Sequence, residues 1–212
     1  MNLVYIDHHD SFAGTIAAYF SMAMTKIHEQ DKSENDSKVI VLKSDCDLER
    51  VVEHNPSLIL LGPGPNSPTQ AGNYLEAIDR FHKDYPLFGI CLGFQALMHY
   101  FGQPVEVLPE PIHGACSKII NNGQSIFEGI SDSVEMARYN SLGVTKTPSG
   151  FIRLAYSRGE NGLEVVMAAQ HEILPIAGVQ FHPESVISAT DNAGMRLVEN
   201  AIRQLARKHD FE

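Results

Sequence analysis

A cysteine flanked by glycines, Gly89-Ile90-Cys91-Leu92-Gly93, stands where a short apolar run gives way to a helical pattern. A thiol there is the sulfur counterpart of the strained strand-to-helix corner that exposes the serine in G-x-S-x-G hydrolases. The glycines admit the tight backbone. The N–H groups and positive dipole end of the following helix favour the thiolate, the reactive form. The amide of Leu92 falls where a donor to a developing oxyanion belongs. A thiol nucleophile needs a base, and Gln180-Phe181-His182-Pro183-Glu184-Ser185 offers one. His182 can move a proton near neutral pH. Glu184 lies two residues on, across a proline that forbids helix, and can hold the imidazole tautomer and stabilise the imidazolium. The same residues also fit plainer roles: a buried structural cysteine, a surface His–Glu pair, or an incomplete three-ligand metal site. Cys46 and Cys116 lack such context and read as structural. His8-His9-Asp10 are adjacent on a loop and make poor joint ligands, so no metal is expected.

These side chains need elements to hold them. Leu3–Ile6 reads as a strand, and Ser11 to Met24 as a helix with Phe12, Ile16, Tyr19, Phe20 and Ala23 at helical spacing, capped by Asp10 or Ser11. Lys26–Lys38 is nearly all polar and reads as a solvated loop. Val39–Leu42 is a second strand, and Leu48–His54 a short helix stopped by Pro56. Ser57–Leu61 is apolar without alternation, as in a parallel strand buried on both faces, and ends in the Gly62-Pro63-Gly64-Pro65-Asn66-Ser67-Pro68 loop. A helix over Asn73–His82 (Leu75, Ile78 and Phe81 inward), a strand over Leu87–Ile90 and a helix over Gly93–Phe101 complete an alternation typical of βαβ units. Beyond Gly102, short β-rich pieces (Val105–Leu108, Ser117–Ile120, Val134–Arg138, Ile152–Tyr156, Val165–Ala169, Ile176–Phe181) with turns at Asn121-Asn122-Gly123 and Glu160-Asn161-Gly162 suggest antiparallel hairpins extending the sheet. Asn192–Lys208 closes the chain as an amphipathic helix with Leu197, Val198, Ile202 and Leu205 inward.

The 212-residue chain is 43% hydrophobic and 20% charged, the balance of a globular protein with a buried core. Its length fits one domain spanning 1–212, with room for one reaction or half of one. Sixteen Lys and Arg face 26 Asp and Glu, a net charge of −10 that argues against nucleic-acid or anionic-membrane partners. Three cysteines without a CxxC pair suit a reducing compartment, the N-terminal apolar run is too short for a signal peptide, and no stretch reaches the ~20 apolar residues of a membrane span. A soluble, cytoplasmic protein is expected.

Phe88-Gly89-Ile90-Cys91-Leu92-Gly93-Phe94-Gln95 and Gly178-Val179-Gln180-Phe181-His182-Pro183-Glu184-Ser185 together resemble the class I (triad-type) glutamine amidotransferases. The resemblance extends to Pro63-Gly64-Pro65, His113-Gly114, Arg138-Tyr139-Asn140-Ser141-Leu142 and Asp10-Ser11-Phe12, a combination most like the small subunits of anthranilate and para-aminobenzoate (aminodeoxychorismate) synthases. It implies a flavodoxin-like α/β fold: a mostly parallel sheet flanked by helices, with an antiparallel extension. It also implies a Cys91 nucleophile, His182 as general base and acid, Glu184 orienting it, and backbone N–H groups of Gly64 and Leu92 as the oxyanion hole. L-glutamine would be bound by Gly64, Pro65, Asn66, Gln95, Ser141 and Leu142, without a cofactor. It would be hydrolysed through a γ-glutamyl thioester, with ammonia passing to a large chorismate-binding synthase subunit. Alternatives are the amidotransferase subunit of a GMP or carbamoyl-phosphate synthetase, a γ-glutamyl peptidase, and a non-catalytic interaction module. The chain departs from the family pattern at several points. Asn66 replaces a glycine, at a position where asparagine tolerates left-handed backbone. Ala115 replaces a lysine, Ala13-Gly14-Thr15 replaces Thr-Tyr-Asn, and Lys26–Lys38 is longer than the usual connection.

Overall fold

A computed structural model describes residues 1–32, 36–186, 188 and 192–206. The first half alternates strand and helix: β1 (Asn2–Asp7), α1 (Ala13–Asp31), β2 (Lys38–Lys43), α2 (Glu49–Glu53), β3 (Leu58–Leu61), α3 (Tyr74–Phe81), β4 (Leu87–Ile90) and α4 (Leu92–Tyr100). Five strands follow, β5 (Glu106–Asn121), β6 (Ser133–Gly143), β7 (Phe151–Arg158), β8 (Glu164–His171) and β9 (Ile176–Val179), before the final helix α5 (Ala193–Leu205). Among the described residues these strands form one nine-stranded sheet in the order β2-β1-β3-β4-β9-β8-β7-β5-β6. The β2 to β9 half is parallel and the remainder antiparallel, as the resemblance implies.

Strand periodicity explains the layers, because successive side chains point to opposite faces. Leu3 and Tyr5 of β1 pack with Ile16, Phe20, Ala23, Met24 and Ile27 of α1 and with Leu197, Val198, Ile202 and Leu205 of α5. Val4 and Ile6 pack on the other face with Val51 of α2, Tyr74, Ala77, Ile78 and Phe81 of α3, and Phe94, Leu97 and Met98 of α4. The inner parallel strands β1, β3 and β4 are thereby buried on both sides, which is why β3 and β4 read as unbroken apolar runs, whereas β2 at the edge stays largely exposed. Among the described residues no helix is long and apolar enough to cross a membrane.

Several expectations need correction. Helix α1 runs to Asp31, so the first part of the segment read as solvated loop is helical, and Ile27 and His28 are buried. Ile27 continues the 20-24-27 stripe, and one inward residue per turn suffices to carry a helix through polar sequence. Residues 33–35 of that segment lie outside the described residues. The α1 N-terminus has no side-chain cap; Asp10 instead accepts from the Phe12 N–H at 2.8 Å, tightening the turn before the helix. In α3 the fully buried residues are Tyr74, Ala77, Ile78 and Phe81, with Leu75 only partly buried. The pieces read at Val105–Leu108, of which Val105 lies just outside the strand, and at Ser117–Ile120 belong to one long strand, β5, whose register with β6 shifts between Val107 and Ile112 and between His113 and Ala115. The bulges interrupt the alternation and hide its continuity. Asn121-Asn122-Gly123 does not close a tight hairpin, since a 3-10 turn at Ser125–Phe127 intervenes before β6. Glu160-Asn161-Gly162 does lie in the turn that joins antiparallel β7 and β8. The piece read at Ile176–Phe181 is strand only over Ile176–Val179, and it is no hairpin extension of the edge. It lies mid-sheet, parallel to β4 and antiparallel to β8. Of the closing helix, Ala193–Leu205 is as expected in position and inward face, whereas Lys208 is beyond the described residues.

Candidate active site

Three neighbouring strands deliver the chemistry-bearing residues to one end of the sheet. Leu61 of β3 aligns with Gly89 of β4, and Ile90 of β4 with Val179 of β9. The loop after β3, the cysteine after β4 and the segment after β9 therefore emerge side by side at the carboxyl ends of parallel strands, where open α/β sheets form their crevices. The Cys91 N–H donates to the carbonyl of Val179 at 2.8 Å, tying the β4 corner to the end of β9.

Cys91 sits at φ 51° and ψ −102°, outside the regions open to ordinary residues. Such a conformation costs about 1–3 kcal/mol and persists only where its surroundings enforce it. Here α4 starts at once and is pressed onto β3: a Cβ on Gly93 would run into the Leu61 carbonyl, and the Gly93 N–H donates to Gly62 O at 3.0 Å. Leu92, the first residue of α4, has no carbonyl within its helix to receive its N–H. Gly64 lies so close over His8 that a Cβ would meet the His8 carbonyl. His8 is itself fixed by a 2.7 Å Nδ1–Ser44 Oγ hydrogen bond. Asn66 adopts φ 69°, so the asparagine found where the resemblance expects glycine holds the left-handed conformation glycine would take.

Gly64, Pro65, Asn66, Cys91, Leu92, Gln95, Ser141 and Leu142 line one cleft of about 210 Å³, joined by His113, Tyr139 and Asn140. His182 and Glu184 are not among its lining residues; they are 3% and 4% exposed. A larger cleft of about 460 Å³ lies elsewhere, between β5, β6, β7 and the β7–β8 turn, and contains no thiol. The imidazole Nδ1 of His182 is 2.7 Å from Glu184 Oε1. Its Nε2 has no hydrogen-bond partner of good geometry. Burial alone would lower the His182 pKa, but its interactions with Cys91 and with the Glu184 carboxylate outweigh burial and raise it above the ordinary 6.5. An imidazole held in this way can retain a proton taken from sulfur and return it to a leaving group.

Residues outside the expected set hold the histidine. The His182 N–H donates to Ala137 O at 3.0 Å, and Ser188 Oγ donates to His182 O at 2.6 Å while accepting from the Ala137 N–H at 2.9 Å. Tyr139 stacks edge-on to the His182 ring at 5.0 Å between centroids, and Phe12 lies 6.3 Å from it. Gln180 is wholly buried and donates from Nε2 to Cys91 Sγ at 3.7 Å. The sequence carried one signal for Gln180: a lone amide between apolar Val179 and Phe181 demands a buried partner. Tyr139 and Phe12 lie in segments that carried the family resemblance, but their contacts arise from distant parts of the chain and nothing in the sequence pointed to the imidazole between them.

Residues 5–202 match the model of the family described as Glutamine amidotransferase class-I. The chain is 33% identical over 211 residues to anthranilate synthase component 2 of Haemophilus influenzae, covering 98% of this chain and 99% of that protein. It is 35% identical over 191 residues to aminodeoxychorismate/anthranilate synthase component 2 of Bacillus subtilis, covering 88% and 90%. A solved glutamine amidotransferase structure from Thermotoga maritima superposes with a TM-score of 0.67 at 17% identity, covering 97% of this chain and 96% of that one, a likeness of fold.

Proposed function

The chain belongs to the class I glutamine amidotransferases, and from that membership we propose that it hydrolyses L-glutamine at Cys91 and hands the ammonia to a large chorismate-using synthase subunit. The observation that carries this reading is the strained Cys91 corner on the cleft, together with the buried His182–Glu184 pair at 2.7 Å. His182 takes the Cys91 thiol proton as Sγ attacks the side-chain amide carbon of glutamine. The C–S bond forms as the carbonyl π electrons move to oxygen, and the Leu92 and Gly64 N–H groups receive the oxyanion. Collapse expels the amide nitrogen, which takes a proton from His182 and leaves as ammonia, giving a γ-glutamyl thioester. His182 then removes a proton from water, whose oxygen attacks the thioester carbon. The C–S bond breaks, the sulfur takes back the proton held on His182, and glutamate leaves with the Cys91 thiol regenerated. Pro65, Asn66, Gln95, Ser141 and Leu142 hold the substrate in the cleft.

Two curated relatives named as component 2 of anthranilate or aminodeoxychorismate synthase support the choice of partner. Ammonia in water at neutral pH is mostly ammonium, so a subunit of this kind serves synthesis only when docked against its acceptor. Three cysteines that form no disulfide among the described residues suit a cytoplasmic setting. The test is recovery of the partner with tagged chain from the source cell, followed by assay of the complex. Cys91→Ser abolishes glutamine-dependent product while ammonia-dependent product persists. Undiminished glutamine-dependent synthesis by that variant contradicts the mechanism, and a partner that does not use chorismate contradicts the assignment of the acceptor.

A further inference from the structure

Behind the cleft, side chains from β6, α4 and the segment after β9 form a continuous line of hydrogen bonds ending at the thiol. Arg138 Nε donates to Asn140 Oδ1 at 3.1 Å, and Asn140 Nδ2 donates to Leu142 O at 2.8 Å. The same carbonyl accepts from Gln95 Nε2 at 2.9 Å; Gln95 Nε2 also donates to Gln180 Oε1 at 3.0 Å, and Gln180 Nε2 to Cys91 Sγ at 3.7 Å. Arg138, Asn140, Gln95 and Gln180 are each at most 4% exposed.

The polarity of this line is fixed by its chemistry. A guanidinium only donates, so Asn140 must turn its oxygen to Arg138 and its nitrogen to Leu142. A backbone carbonyl only accepts, so Gln95 must also present nitrogen to Leu142 O, filling both lone pairs of that oxygen. The second proton of Gln95 Nε2 then requires an acceptor, which sets Gln180 with Oε1 toward Gln95 and Nε2 toward sulfur. Reversing the Gln180 amide would put two N–H groups face to face and aim a carbonyl oxygen at the thiol, at the cost of unpaired buried polar groups.

We propose that Gln180 is a positioning residue for the reaction at Cys91: its amide delivers an N–H to the sulfur and locks Gln95 with only its Oε1 free to face a ligand in the cleft. The proposal rests on Cys91 being the nucleophile. A donor aimed at Sγ favours the thiolate. The lock makes Gln95 an acceptor toward bound substrate, matched to an N–H donor on the amino acid.

The two duties separate by substitution. Gln180→Glu keeps an acceptor for Gln95 and removes the donor to sulfur, whereas Gln180→Met removes both. Iodoacetamide alkylation of Cys91 in the full chain, followed across pH, reads the thiolate without turnover, and glutaminase kinetics with the recovered partner read the rest. Both variants are expected to move the alkylation profile to higher pH and to lower kcat by about tenfold or more. Only Gln180→Met is expected to raise KM for glutamine, by about tenfold. Folded variants with the wild-type alkylation profile and wild-type kcat and KM overturn the proposal. If neither variant folds, the side-chain amide resonance of Gln180 in the wild-type chain decides: a shift on alkylation of Cys91 supports the contact, and an unmoved signal rejects it. Failure of the underlying reading looks different, because wild type and Cys91→Ser would then hydrolyse glutamine alike.

Discussion

Glu184 fixes the His182 imidazole from two residues away, and it is the residue of the site whose removal is most informative. Its carboxylate is 2.7 Å from Nδ1 and helps raise the His182 pKa above 6.5. A raised folded-state value means that the imidazolium stabilises the fold fully below about pH 6.5, the ordinary value, and that this contribution fades as pH climbs through the higher folded value. Glu184→Gln removes one of the influences that raise it. The alkaline limb of glutaminase activity should therefore move to lower pH, and kcat should fall by about 10²-fold or more. The stability lost on raising pH should also be smaller and be complete at a lower pH, because its onset is set by the unchanged unfolded value. A pH–rate profile and a pH series of melting curves check both; an unmoved alkaline limb would count against Glu184 as the orienter. At this scale the sequence was most legible where function compresses residues into contiguous motifs: Cys91 between glycines, and His182 and Glu184 across a proline. It was least legible where partners come from afar. Nothing near Gln180 announces that its amide meets Sγ, and nothing near Phe12 or Tyr139 announces that they flank one imidazole.

Elements followed the sequence wherever the apolar period was clean. Both β3 and β4 were legible as unbroken apolar runs, and α5 by its inward Leu197, Val198, Ile202 and Leu205. The last two turns of α1 were not, because the surrounding composition is that of a solvated segment and only Ile27 and His28 turn inward. Ile27 is fully buried in the cluster that joins α1, α5 and the sheet, so Ile27→Ala should destabilise the protein by about 2–5 kcal/mol. Urea unfolding measures it; a change within about 0.5 kcal/mol would mean a surface position and refute the extended helix. Salt links on the same helix, Lys26 to Glu199 and Arg203 to Asp31, tie α1 to α5 at its C-terminal end. Strand β9 shows a different limit. Ile176-Ala177-Gly178-Val179 is plainly a buried strand, but four apolar residues carry no information about the direction of the neighbour they pair with. Its parallel pairing with β4 sets Cys91 and Gln180 side by side, so the site depends on a topological fact that local pattern could not supply.

For the whole molecule, topology gathers the chemistry at one edge. The loop after β3, the corner after β4 and the β6 segment Tyr139–Leu142 line a small cleft in which Cys91 is 8% exposed, and the buried segment after β9 brings Gln180 to the Cys91 sulfur. Reaction of glutamine at Cys91 and nowhere else is tested most directly by labelling the full chain with a diazoketone analogue of L-glutamine, read by peptide mass spectrometry. The diazo carbon takes up the proton given up by the thiol, and attack by sulfur on that carbon then expels dinitrogen and leaves a stable thioether. The account predicts one label per chain, on the peptide carrying Cys91, suppressed by L-glutamine and matched by loss of glutamine hydrolysis. A label on Cys46 or Cys116 instead, or glutamine hydrolysis that survives full labelling of Cys91, would contradict it.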